Sequence, residues 1–232
     1  MLRLVEKFIS IQGEGPFIGV VSLFLRVWGC NLKCEWCDSY YTWDVRGESR
    51  YSKGDYEMGF PYTFDDFKDD IRGIPLVVIT GGEPLLYSKI WEDWIKRVDG
   101  GMFQFETNGT FPPILRDDNR VYFVVSPKLK SSGNENAINL DVLREFTPLI
   151  HQSRAYLKFV ISDPQRDEWE ILDILEKLRL PGHIRPFSVF LMPEGISGNL
   201  PLAEEVVKLC KKHNLRYSDR IHIRIWGNKR GV

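Results

Sequence analysis

"VVSLFLRVWGCNLKCEWCDSYYTW", residues 20–43, runs from an apolar strand straight into three of the chain's four cysteines. Cys30, Cys34 and Cys37 form C-x3-C-x2-C. A structural zinc site takes four ligands, commonly as two paired motifs, and here the second pair is missing. Cys210 lies far downstream, in helical phase with Val206 and Leu209, and reads as a packed free thiol. His151, His183, His213 and His222 have no spacing that nominates one of them as a fourth ligand, so a zinc site completed by histidine stays a plain alternative, as do three unrelated thiols. A cubane iron–sulfur cluster usually takes four thiolates. Three would leave one iron open to an outside ligand, which makes the cluster a chemical site as well as an electron carrier.

The strand before the cysteines is one of several. "RLVEKFIS" (3–10), "VVSLFLRVW" (20–28), "IPLVVIT" (74–80), "MFQFET" (102–107), "VYFVVS" (121–126), "YLKFVIS" (156–162), "FSVFLM" (187–192) and "RIHIRIW" (220–226) are short and rich in Val, Ile and Phe. Such runs suit strands, and their near-continuous apolar character suits a parallel sheet covered on both faces. Between them lie helical patterns. Over 88–99, Trp91, Trp94, Ile95 and Val98 recur at helical spacing, with Ser88 as a cap; over 167–180, Trp169, Leu172, Leu175 and Leu178 do the same. A third helix fits 201–213, and shorter ones 65–72 and 140–146. The alternation predicts an α/β fold with right-handed crossovers. A full eight-fold barrel needs ~250 residues, so an incomplete TIM-like barrel of about six parallel strands, as one domain over 1–232, is the expectation. Segment 44–62 reads as a long polar loop.

With 232 residues, 43% of them hydrophobic and 27% charged, the chain reads as soluble and globular. A formal net charge of −1 marks no nucleic-acid or membrane partner. The first residues show no signal-peptide core, no apolar run is long enough to span a bilayer, and the cysteine pattern is not a secreted disulfide framework. The expected compartment is the cytoplasm.

Chemistry gathers at the C-terminal ends of parallel strands, which is where the cysteines fall. Three further motifs sit at strand ends. "TGGEP" (80–84) offers two glycines for close backbone approach and a proline to open the next helix. "ETNGT" (106–110) and "SPK" (126–128) offer Glu106, Asn108 and Ser126. Alone, each reads as a turn.

Together the cysteine motif, with Trp36 before its last cysteine, and "GGEP" resemble the radical S-adenosylmethionine (SAM) superfamily. The stretch 10–44 is more particular. "IQGEG", "R-V-x-G-C" and "W-C-D-S-x-x-T-W", with "VVSPK" and the final "IHIRIWGNKRGV", are similar to the 7-carboxy-7-deazaguanine synthase family. The resemblance implies a carbon–nitrogen lyase that converts 6-carboxy-5,6,7,8-tetrahydropterin to 7-carboxy-7-deazaguanine with loss of ammonia, on the route to modified tRNA bases such as queuosine and archaeosine. It implies one-electron cleavage of SAM to a 5′-deoxyadenosyl radical, hydrogen abstraction from C6, ring contraction and return of the hydrogen to regenerate SAM. It implies a 4Fe-4S cluster, SAM and Mg2+, an electron donor such as flavodoxin or ferredoxin, and a homodimer.

Residue by residue, the resemblance assigns Cys30, Cys34 and Cys37 to the cluster and Ser39 to magnesium. It assigns Trp36, Asp38, Gly81, Gly82, Glu106, Asn108, Ser126, Pro127 and Lys128 to SAM. The substrate positions are Ile11, Gln12, Gly13, Glu14, Arg26, Thr80 and His222. Arg26 is a charge on an otherwise apolar strand, so it must be paired or near solvent. Its planar fork suits a carboxylate. The residues alone favour an internal ion pair, for example to Glu14; the resemblance makes Arg26 the substrate-carboxylate candidate. His222 reads equally as a packed histidine on the last strand. A single hydroxyl is a weak magnesium site, so metal binding is expected to depend on the substrate carboxylate. The alternatives are another radical SAM reaction, such as activation of a glycyl-radical protein, and a non-catalytic metal-binding protein.

Overall fold

The computed structural model describes residues 1–198 and 200–232. Nine strands form one open sheet: β1 (Leu2–Ile11), β2 (Val21–Val27), β3 (Phe60–Tyr62), β4 (Leu76–Gly81), β5 (Met102–Thr107), β6 (Val121–Val125), β7 (Ala155–Ile161), β8 (Val189–Pro193) and β9 (Arg216–Tyr217), in the order β3-β1-β2-β4-β5-β6-β7-β8-β9. From β2 to β9 every pairing is parallel. The expected six long parallel strands are present, as an incomplete barrel. Sequence reading missed the antiparallel edge made by β1 and β3, and the two-residue β9.

The helices are α1 (Phe64–Asp70), α2 (Ser88–Lys96), α3 (Leu140–His151), α4 (Pro164–Lys177), α5 (Arg185–Ser188), α6 (Ala203–His213) and α7 (Ile221–Trp226). Helices α1, α2, α3, α4 and α6 pack on the face of the sheet that carries Leu25, Val27, Ile79, Phe105, Phe123, Leu157, Phe159 and Leu191, all in the main core. Trp91 of α2 is wholly buried there. Cys210 of α6 belongs to the same core, as its helical phase implied. Because side chains alternate along a strand, the intervening residues Phe24, Arg26, Val78, Thr80, Lys158, Val160 and Met192 face the other way, into a cavity.

Several expected segments differ. Residues 220–226 form helix α7, not a strand. Their alternating pattern fits either period over so short a run. β9 already occupies the sheet edge, and Ile221 N–H is satisfied by Gly13 O at 3.1 Å. Tertiary contacts override β propensity there. Helix α3 continues through Pro148, which sits in the last turn and removes one backbone bond without ending the helix. In α4 the buried face is Ile171, Ile174, Leu175 and Leu178, whereas Trp169 is 79% exposed. Ser88 does not cap α2; Tyr87 holds that position. The polar loop 44–62 ends in β3 and buttresses the cysteine loop. Asp44 accepts from Glu48 N–H and Ser49 N–H, and Ser49 Oγ donates to Cys37 O at 3.1 Å.

Candidate active site at the strand ends

All the candidate residues except Pro127 line one cavity at the C-terminal ends of the parallel strands. The register explains part of this. β2 and β4 pair Arg26 with Thr80 and Val27 with Gly81, so the substrate candidates and the glycine turn lie side by side.

The cysteine loop packs tightly on that glycine turn. Gly82 has no space for a side chain: a Cβ would stand 1.7 Å from Gly29 O. Gly81 holds a φ of 117°, with Val27 O 2.4 Å from any Cβ. Glu83 N–H donates to Gly29 O at 2.8 Å. Glu83 is wholly buried and accepts from Leu85 N–H, the Thr107 hydroxyl and Asn108 N–H. Burial pushes its carboxyl up to about 6, against those hydrogen bonds. Glu83 thus ties the end of β4 to "ETNGT", and Asn108 Nδ2 then donates to Asn31 Oδ1 at 2.9 Å in the cysteine loop.

Each thiol has a nitrogen donor nearby. Leu32 N–H lies 3.4 Å from Cys30 Sγ, Asn134 Nδ2 3.3 Å from Cys34 Sγ, and Trp43 Nε1 3.2 Å from Cys37 Sγ. Donors of this kind tune the potential of sulfur-ligated iron. Burial pushes Cys30 up to about 12 and Cys37 up to about 11, and raises Cys34 against the pull of Lys128. Metal binding must therefore displace protons from these thiols. Three thiols on one loop, a backbone cradle closed to any Cβ, and N–H donors at sulfur fit an iron–sulfur cluster with an open iron. Beside them Lys128 Nζ donates to Ser126 Oγ at 2.7 Å and lies 5.6 Å from the Trp36 ring centroid. Ser39 Oγ donates to Gly81 O at 3.2 Å.

Across the cavity runs a buried chain of charge that sequence reading found only in part. Lys158 Nζ donates to Glu14 Oε2 at 2.6 Å and to Glu106 Oε2 at 2.9 Å. Gln104 and Gln12 donate to Glu106 Oε1. Arg220 Nε donates to Glu14 Oε1 at 2.9 Å, and its Nη2 bonds Asp38. Burial would raise Glu14, but Lys158 and Arg220 hold its carboxyl well below the usual carboxylate range. Burial raises the Glu106 carboxyl despite the pull of Lys158. Burial likewise opposes the charge on Lys158, yet Glu106 and Glu14 raise it overall. Lys158 and Arg220 were missed. Lys158 had a signal: a charge inside "YLKFVIS", the same kind that nominated Arg26. Arg220 had none: in "RIHIRIW" it alternates with isoleucine, as a solvent-facing charge on a half-buried strand would.

Arg26 is paired, though to Glu6 rather than Glu14: its Nε donates to Glu6 Oε2 at 2.7 Å. His222 sits on α7 against Gly13, where a Cβ would stand 2.0 Å from its Nδ1. Burial lowers the pKa of its imidazole, against the opposing pull of Glu14.

Residues 28–179 match the model of the radical SAM superfamily. A 7-carboxy-7-deazaguanine synthase of Hyperthermus butylicus is 36% identical over 96% of this chain and 92% of its own length. The chain belongs to the 7-carboxy-7-deazaguanine synthase family. A second member, from Halobacterium salinarum, is 33% identical over 98% of this chain and 91% of its own length. The crystal structure of QueE from Escherichia coli superposes with a TM-score of 0.64 at 25% identity, covering 94% of this chain and 93% of that one. As a synthase of this family the chain is a radical SAM enzyme of 7-deazapurine biosynthesis, and its cofactors are a 4Fe-4S cluster and SAM.

Proposed function

We propose that this enzyme, as a single domain over 1–232, converts 6-carboxy-5,6,7,8-tetrahydropterin to 7-carboxy-7-deazaguanine and ammonia in the cavity described above. The observation that carries this reading is the meeting of two kinds of residue in one space. Three thiols and a glycine cradle line the cavity. So do Arg26, with its terminal nitrogens unbonded among the described residues, and the Gln12–Glu14–Glu106–Lys158 network.

Cys30, Cys34 and Cys37 would hold the cluster, and Gly81, Gly82, Asn108, Ser126 and Lys128 would hold SAM. When bound, these cofactors supply the carbon-centred radical chemistry that starts the rearrangement. The chain's own part is placement and exclusion of water. Arg26 takes the substrate carboxylate as a charge-assisted pair. Gln12 and the Glu14 and Glu106 carboxylates offer acceptors to the amino edge of the pterin, while Lys158 keeps the two carboxylates from repelling each other. Thr80 borders the ring, and His222 offers an imidazole that accepts or donates a hydrogen bond. Ser39 would hold magnesium only weakly by itself, since Asp38 is engaged by Arg220, and the metal would supply charge to balance the substrate carboxylate. An external one-electron donor is required. A homodimer and a product destined for modified tRNA bases belong to the same reading.

The test is an omission series under anaerobic conditions. The complete mixture of reconstituted enzyme, pterin, SAM, reductant and Mg2+ is expected to release ammonia. Leaving out SAM or reductant should abolish release, and leaving out Mg2+ should slow it. Ammonia release that ignores SAM would reject the reading, as would a protein that purifies with zinc and no iron or sulfide.

A further inference from the structure

The Arg26 guanidinium is held by three residues to which the family resemblance assigned no role. Glu6 of β1 stands opposite Arg26 in the β1–β2 register, and that register slips between Leu4 and Glu6. The slip is a bulge, one extra residue on β1, and a bulge re-aims the side chains beside it. Glu6 Oε2 accepts from Arg26 Nε at 2.7 Å and from the Tyr41 hydroxyl at 3.0 Å. Glu6 Oε1 accepts from Arg230 Nε at 2.6 Å. The Arg230 guanidinium lies 3.7 Å from the Tyr41 ring centroid, and its Nη1 reaches Glu57 Oε1 at 2.8 Å. Arg230 lies on the segment that follows α7 and crosses to β1, and Val232 of that segment lines the cavity.

We propose that Glu6, Tyr41 and Arg230 form a clamp that positions Arg26 for a carboxylate-bearing substrate, with Arg230 as a positioning residue acting through Glu6. The inference rests on the reading of Arg26 given above. With Nε committed to Glu6, the guanidinium presents its two Nη groups to the cavity, the end that grips a carboxylate with both oxygens. Charge completes the case. Glu6 alone would neutralise Arg26 and leave nothing to attract an anion. Arg230 on the other Glu6 oxygen shares that carboxylate, so Glu6 is not committed to Arg26 alone. Arg230 is itself partly exposed and also pairs with Glu57 and, at 3.9 Å, with Asp55, so solvent screens this outer end of the clamp.

The measurement is the dissociation constant of two pterins on the reconstituted enzyme with SAM and Mg2+. One is 6-carboxytetrahydropterin; the other is tetrahydropterin without the 6-carboxyl group. Wild type should prefer the carboxylated ligand, and Arg26→Gln should erase that preference. Arg230→Gln should weaken the carboxylated ligand about tenfold, the effect of losing one charge-assisted contact, and leave the other ligand unchanged. Arg230→Lys should keep most of the preference. The double variant should bind no worse than Arg26→Gln alone. Equal weakening of both ligands, no effect at all, or additivity in the double variant overturns the clamp. If Arg26→Gln keeps the preference, the reading of Arg26 itself fails. If Arg26→Gln erases the preference but Arg230→Gln does nothing, only the clamp fails.

Discussion

Lys158 is the residue on which the buried charge depends. It lies between Glu14 and Glu106, and removal of one partner from a buried ion group leaves the others uncompensated. Lys158→Met should destabilise the enzyme by ~3–5 kcal/mol, read as a lowered melting temperature. Adding Glu106→Gln should recover part of the loss. A single variant as stable as wild type would show that the carboxylates do not need the cation. Glu83 gives a pH signature. Its carboxyl is lifted from 4.5 to about 6 by burial. A group raised in the folded state contributes stability that is complete below its unfolded value and is lost as pH rises through the folded value. Stability should therefore fall by roughly 2 kcal/mol between pH 4 and pH 7 from this group alone. Glu83→Gln should remove that slope, whatever its absolute stability. The check is denaturation across that range, and an unchanged slope would assign the pH dependence elsewhere.

At the scale of elements, two backbone segments are locked face to face: the turn 81–83 after β4 and the loop 29–39 after β2. Gly82→Ala forces a Cβ onto Gly29 O, so one of the two segments must move. The expected result is a folded protein that takes up little iron or sulfide on reconstitution. Iron content equal to wild type would mean that the loop does not depend on this contact. This part of the site was legible in the sequence, because cysteines and glycines at strand ends carry their chemistry in their spacing. Arg26 and Lys158 carried a weaker signal, a charge in an apolar strand, and only Arg26 also belonged to a recognisable motif. The α7 segment was illegible. "IHIRIW" satisfies the strand pattern, and what makes it a helix lies far away, in Gly13 O and in an edge already filled by β9. Glu6 was hidden for a related reason: its aim depends on a bulge that no local pattern marks.

At the scale of the whole molecule, an open sheet explains why one cavity draws on residues from 8 to 232. Six long parallel strands bring their C-terminal ends to one rim, and the antiparallel edge adds "IQGEG" and Glu6 to it. The chain then returns at α7 and its following segment to supply Arg220, His222 and Val232. Among the described residues no helix is long and apolar enough to cross a membrane. The measurement that bears most directly on this account is the identity of the product. Reconstituted enzyme should be incubated anaerobically with 6-carboxytetrahydropterin, SAM, Mg2+ and a one-electron reductant, and the mixture analysed by mass spectrometry. The account predicts 7-carboxy-7-deazaguanine in excess over any SAM consumed, because the cofactor is regenerated. SAM cleaved to 5′-deoxyadenosine with no deazaguanine formed would contradict it and point to a different radical SAM reaction.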